Sequence, residues 1–117
     1  MSDLKRLKPG KRMSQGVIRG DLVYLAGQVA EKTAGRSVRE QTAEVLAQID
    51  ALLAEAGTDK SGIMMATIYL SDITTFSEMN SVWDTWVVEG ATPARATVQA
   101  RLVAPEYKVE IAVVAAI

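Results

Sequence analysis

Along this chain the apolar positions switch between short β-like runs and stretches with helical spacing, and each switch predicts an element. Gly16 to Ile18 and Leu22 to Ala26 flank Arg19-Gly20-Asp21 and predict two strands joined by a tight turn. Glu31 to Arg36 reads as a loop that ends at Ser37, an N-cap with Glu40 at the capping-box position. From Val38, the apolar Val45, Leu46, Ile49, Leu52, Leu53 and Ala56 recur at helical spacing until Gly57 supplies the stop, predicting one long helix. Ile63 to Leu70 is uncharged and partly β-branched, the mark of a central strand covered on both faces. A second helix is expected from Thr74 or Thr75, with Phe76, Met79, Trp83, Trp86 and Val87 on an apolar stripe, Asn80 at its border, and Gly90 and Pro93 ending it. Two strands close the chain, one opening at Arg95 and one running from Tyr107 or Lys108 to Ala116 after a bend near Pro105.

The order of strands, helix, strand, helix and strands predicts an α+β sandwich with both helices on one sheet face. With 117 residues, 49% of them hydrophobic, the chain can build one ordinary core and not two, so a single domain over residues 1–117 is expected. Residues 1–16 read as a polar leader, in which Lys5, Arg6, Lys8, Lys11 and Arg12 are solvated charges rather than a nucleic-acid patch. Neither a signal peptide nor a spanning run is visible, and the lack of cysteine fits the cytoplasm as default compartment.

Charge and composition narrow the chemistry. A net charge of −1, with acidic and basic residues interspersed, gives no electrostatic footprint for nucleic acid or a membrane surface. Without cysteine or histidine there is no zinc finger, no Ser-His-Asp triad and no thiolate nucleophile. No acidic spacing supports a magnesium or calcium loop, so no metal is expected. Any catalysis must use Arg, Glu, Lys, Tyr, Ser or Thr side chains, backbone groups and water.

Within Pro93-Ala94-Arg95-Ala96-Thr97-Val98-Gln99-Ala100-Arg101-Leu102, polar and apolar residues alternate strictly. Arg95, Thr97, Gln99 and Arg101 therefore share one strand face, and Ala96, Val98, Ala100 and Leu102 the other, taken as the core face. On these residues alone Arg95 is either an anchor for a carboxylate or phosphate ligand or a solvated strand end. Glu110, between Val109 and Ile111, is either a group held on a rigid strand for chemistry or half of an ion pair with Lys108 or Arg101. Asn80 is as well suited to joining neighbouring segments as to lining a site, whereas Trp83 and Trp86 read as core packing.

Ser14-Gln15, Ala26-Gly27-Gln28, the Gln41 to Gly57 helix, Asn80, Pro93-Ala94-Arg95-Ala96-Thr97-Val98 and Val109-Glu110-Ile111 resemble the RidA family, also called YjgF. The likeness runs in order along nearly the whole chain, and the tail from Thr97 resembles the YoaB-type branch. It implies a chorismate-mutase-like fold, with a mixed β-sheet and two main helices on one face, assembled as a homotrimer. It also implies hydrolysis of reactive enamines and imines such as 2-aminoacrylate or other 2-imino acids to 2-keto acids and ammonia, without metal or organic cofactor. By position, Arg95 resembles the family's grip on the substrate carboxylate and Glu110 the acid that positions or activates water. Gly27 resembles a backbone contact in the cleft, and Asn80 and Thr97 match site-lining positions, Thr97 standing where many members have cysteine. Met13 and Ala26 stand where tyrosine and serine are common, so two hydroxyls are missing from the substrate pocket. The alternative is a noncatalytic trimeric module that binds small keto acids or related carboxylates through Arg95.

Pairing the last two strands as a hairpin places Arg101 opposite Glu110 and leaves Arg95 about 20 Å away at strand rise. Each site is therefore expected to combine Arg95 of one subunit with Glu110 of a neighbour. Sister subunits would also cover the sheet face that the helices leave open.

Overall fold

The structure is a computed structural model that describes residues 3–117; Met1 and Ser2 of the expected leader lie outside them. Strands β1 (Lys5–Pro9), β2 (Ser14–Arg19), β3 (Leu22–Leu25) and β4 (Gln28–Val29) precede helix α1 (Val38–Ala56). Then come β5 (Ile63–Leu70), helix α2 (Phe76–Trp86), β6 (Ala94–Gln99) and β7 (Val109–Ala116). The strands join one mixed sheet in the order β1-β2-β3-β7-β5-β6, with β4 also on β7; only β5 and β6 are parallel.

Local signals set α1. The Ser37 hydroxyl accepts from the Glu40 N–H, capping the first turn, and donates to the Glu40 carboxylate, which holds it in that pose. Gly57 closes the helix at φ 91°, a left-handed conformation that a side chain would strain. Val45, Leu46, Ile49 and Leu53 form its buried stripe. They meet Ile68 and Leu70 of β5 and Ile111 of β7 in the core. Alternation along β7 marks the helix-covered face: Val109, Ile111, Val113 and Ala115 are buried, and the residues between them are half-exposed. Gln41, fully buried, accepts from the Lys108 N–H and donates to the carbonyls of Arg36 and Glu106, tying the start of α1 to the approach to β7. Among the described residues no helix is long and apolar enough to cross a membrane.

Several expectations need correction. The polar leader, for which no element was expected, contains an edge strand, Lys5–Pro9, invisible to hydrophobic patterning because only Leu7 is buried; its charges are exposed as expected. Helix α2 ends at Trp86, ahead of Gly90. Of the threonines expected to cap it, Thr75 stands at the N-cap of α2 but makes no side-chain capping bond, and the Asp72 carboxylate accepts from the Thr74 N–H to open the preceding 3-10 turn. The largest correction concerns the last two strands, which are not a hairpin: β6 runs parallel to β5, and β7 sits on the other side of β5. The reason is α2, whose crossover returns the chain parallel to the strand it left. Strand β5 is interior to the sheet as expected, but in the single chain its buried residues are Ile63, Ala66, Ile68 and Leu70, and its other face is half-exposed or exposed.

Candidate functional site

Arg95 opens β6 at the level of Ala66, a fully buried residue of the helix-covered face. Its side chain accordingly points toward α2, with one guanidinium nitrogen donating to Asn80 Oδ1 at 2.8 Å. The guanidinium carbon lies 5.2 Å from the Trp83 ring centroid and 5.6 Å from that of Phe76. Cation–π contacts of this kind contribute on the order of 0.5–2 kcal/mol and hold a flat guanidinium in place. Arg95 has no carboxylate partner among the described residues, where the only ion pairs are Arg19–Asp3 and Arg36–Glu40. Two residues along the same face, the Thr97 hydroxyl is buried without a hydrogen-bond partner. The cluster is a braced cation beside an unused hydroxyl, suited to an anionic ligand.

Polarity on β6 runs opposite to expectation. Arg95 and Thr97 are half-buried on the helix side, and Gln99 Oε1 accepts from the Ile73 N–H ahead of α2. Ala94, Ala96 and Val98 are exposed on the open side of the sheet. Alternation located two faces correctly but not which one meets the helices, because α2 supplies polar partners that a hydrophobic pattern does not reveal.

Glu110 occupies a different place. On β7 it is level with Tyr69 of β5 and Val29 of β4, not with Arg101, and it lies on the open face. Its carboxylate rests on Gly27: a Cβ there would stand 2.0 Å from Glu110 Oε2, closer than any side chain tolerates. Strands β3 and β4 arrive at this point out of step. Tyr24 pairs with Val114 but Gln28 with Ile111, so the chain carries one extra residue around Ala26 and Gly27, a β-bulge. The Ala26 N–H donates to the Gln15 carbonyl at 2.9 Å. Met13, two residues before Gln15, is 52% exposed, and its carbonyl accepts from the Gly10 N–H.

The structure thus gathers Arg95, Asn80 and Thr97 on one side of the sheet, and Glu110 and Gly27, with Ala26 adjacent, on the other. Arg95 and Glu110 are three residues apart along the strands and two strands apart across them, roughly 14 Å between backbones, with side chains on opposite faces. The hairpin register behind the expected separation was wrong, yet the two groups do not converge within the single chain. A concavity of about 800 Å³ between Ser71 and the segment from Gln99 to Tyr107 includes neither of them.

Comparison with known proteins matches residues 4–117 to the family model described as Endoribonuclease L-PSP. The chain is 46% identical over 112 residues to the RutC family protein YoaB of Escherichia coli, covering 96% of each chain. It is 45% identical to a RutC family protein of Haemophilus influenzae, covering 96% of this chain and 97% of that one. The crystal structure of NMB1025, a YjgF family member from Neisseria meningitidis, superposes with a TM-score of 0.94 at 47% identity, covering 97% of this chain and 94% of that one. The chain belongs to the YjgF (RidA) family.

The family resemblance singled out Arg95, Asn80, Thr97, Gly27, Glu110, Ala26 and Met13; in this YjgF-family chain the first six divide between the two clusters described, and Met13 is exposed ahead of β2 and joins neither. Sequence reading did not place Phe76 or Trp83 at the site. Trp83 is 6% exposed and packs in the core as its helical spacing implied, but one face of its ring also supports Arg95. Phe76, expected in the buried stripe, is 39% exposed beside the same guanidinium. An aromatic aligned with Asn80 at i, i+4 was the only available signal, and it is indistinguishable from core patterning.

Proposed function

We propose that the protein is an enamine/imine deaminase that hydrolyses 2-aminoacrylate-like or other 2-imino acids to 2-keto acids and ammonia, at clefts between subunits of a homotrimer. The observation that carries this reading is Arg95: a half-buried guanidinium, braced by Asn80 and two aromatic rings, with no carboxylate paired to it among the described residues. A substrate carboxylate pairs with this guanidinium bidentately and fixes the imine carbon for attack, and positioning of this kind can remove several kcal/mol from a barrier. Glu110 of the neighbouring subunit takes a proton from water as its oxygen bonds to the imine carbon. That proton passes to nitrogen, giving a carbinolamine; Glu110 then takes the proton of the new hydroxyl and delivers it to nitrogen as the carbon–oxygen double bond forms, the carbon–nitrogen bond breaks, and ammonia and the keto acid leave. An enamine enters this sequence after tautomerising to the imine.

Trimer formation is supported by the sheet face that the helices leave uncovered. Ala94, Ala96 and Val98 of β6 are exposed there, and Ala112, Val114 and Ala116 of β7 are half-exposed. An apolar edge strand and an apolar sheet face left open in a protomer favour closure by sister copies. The second reading, a noncatalytic carboxylate-binding trimer, is favoured by Ala26, which brings no hydroxyl to the Glu110 side, and by Met13, which brings none from the segment before β2. Generating 2-aminoacrylate or another 2-imino acid in situ and following ammonia and keto-acid release separates the two. A deaminase accelerates release, and Arg95→Ala and Glu110→Ala abolish the acceleration. Carboxylate binding without acceleration across such substrates points to the binding module.

A further inference from the structure

The β-bulge beneath Glu110 is held by a line of three glutamine side chains. Gln48, on the half-buried side of α1, donates from Nε2 to Gln28 Oε1 at 3.2 Å and to the Val29 carbonyl at 3.1 Å. Gln28, only 7% exposed, donates in turn to Gln15 Oε1 at 2.9 Å and to the Ala26 carbonyl at 3.0 Å. Gln28 therefore uses both amide hydrogens and its oxygen, and the bonds end on the two residues bordering Gly27 and on the strand across from it. Since the Glu110 carboxylate rests against Gly27 with no room for a Cβ, the path of Ala26 and Gly27 sets where that carboxylate can lie.

A bulge lacks the regular ladder bonds that would otherwise fix its backbone, so its geometry depends on side chains that satisfy it. Here the bracing reaches the most regular element of the fold, α1, and links it to a strand irregularity beside a candidate proton-transfer group. A buried amide with every hydrogen-bonding group used is costly to disturb and specifies one arrangement. We propose that Gln28, bridged to α1 through Gln48, is a positioning residue for Glu110: it fixes the Ala26–Gly27 bulge and through it the carboxylate. The proposal rests on the deaminase reading for its catalytic meaning, but its geometric content stands apart from that reading.

Two variants test it in the full-length protein. Gln28→Leu removes every bond of the line except that from Gln48 to the Val29 carbonyl, and Gln48→Leu removes only the α1 end, leaving Gln28 its bonds to Gln15 and Ala26. With an imine generated in situ, kcat should fall roughly 10- to 100-fold in Gln28→Leu and less in Gln48→Leu. KM should change little in both, because the Arg95 anchor is untouched. In glutamate-labelled protein, the carboxyl carbon-13 resonance of Glu110, assigned by its loss in Glu110→Gln, should move in both variants while the other glutamate carboxyl resonances stay in place. A wild-type protein without turnover defeats the deaminase reading and leaves the resonance to decide this one. The proposal is overturned by an unmoved Glu110 resonance, by unchanged kcat in an active protein, or by KM and kcat worsening together. If Gln28→Leu does not fold, the same outcomes are read from Gln48→Leu.

Discussion

At the scale of single residues, the account turns on how two charged groups are held. Asn80 is a hydrogen-bond acceptor bordering an apolar helix stripe, and Arg95 is the donor that gives it a purpose, at 2.8 Å. A bond to a charged group is worth ~1.5–3 kcal/mol. Asn80→Ala frees the guanidinium to leave its ligand-competent pose, and KM for a 2-imino acid should rise about tenfold with a smaller change in kcat. Steady-state kinetics on the two proteins checks this. Gly27→Ala acts on the other group. Its new methyl collides with the Glu110 carboxylate, so kcat should fall by about tenfold or more with KM nearly unchanged. An active Gly27→Ala enzyme with a normal kcat would mean that the carboxylate does not work from this position. The resemblance made Arg95, Asn80, Gly27 and Glu110 legible in the sequence. The bracing of each group was not, because Phe76, Trp83, Gln28 and Gln48 reach them across elements far apart in the chain.

At the scale of elements, α1 was legible almost to the residue because its signals are local: a serine cap, a helical stripe and a glycine stop all lie in one segment. Strand β1 was missed because an edge strand of lysine, arginine and proline carries almost no apolar alternation. The β6–β7 hairpin failed for a different reason. Both strands were recognised, but their pairing depends on the α2 crossover and on β7 seeking neighbours on both sides, relations that a one-dimensional pattern does not contain. The segment before α1 offers a test at this scale. Burial pushes the Glu44 carboxyl up, but the Thr33 hydroxyl and the N–H groups of Lys32 and Thr33 outweigh it and hold it below the ordinary value of 4.5. A folded value below the unfolded one gives stabilisation that is present above about pH 4.5 and lost as the pH falls through the folded value. Glu44→Gln should therefore lower the melting temperature near neutral pH and bring it closer to wild type in acid. Thermal melts across that range show the pattern, and an equal loss at every pH would contradict it.

At the scale of the whole molecule, the sheet has a helix-covered face carrying the Arg95 cluster near one edge and an open face carrying Glu110. Because the two groups point away from each other in one chain, the proposed chemistry depends on assembly, for which the exposed apolar residues of β6 are the proposed surface. The most direct test mixes two inactive proteins. Arg95→Ala keeps every Glu110, and Glu110→Ala keeps every Arg95. Co-refolded in equal amounts, with mixed trimers confirmed by native mass spectrometry, they should recover roughly one quarter of wild-type deaminase activity, the share of interfaces that pair an intact Arg95 with an intact Glu110. Mixed trimers that remain as inactive as the parent variants would contradict a site shared between subunits.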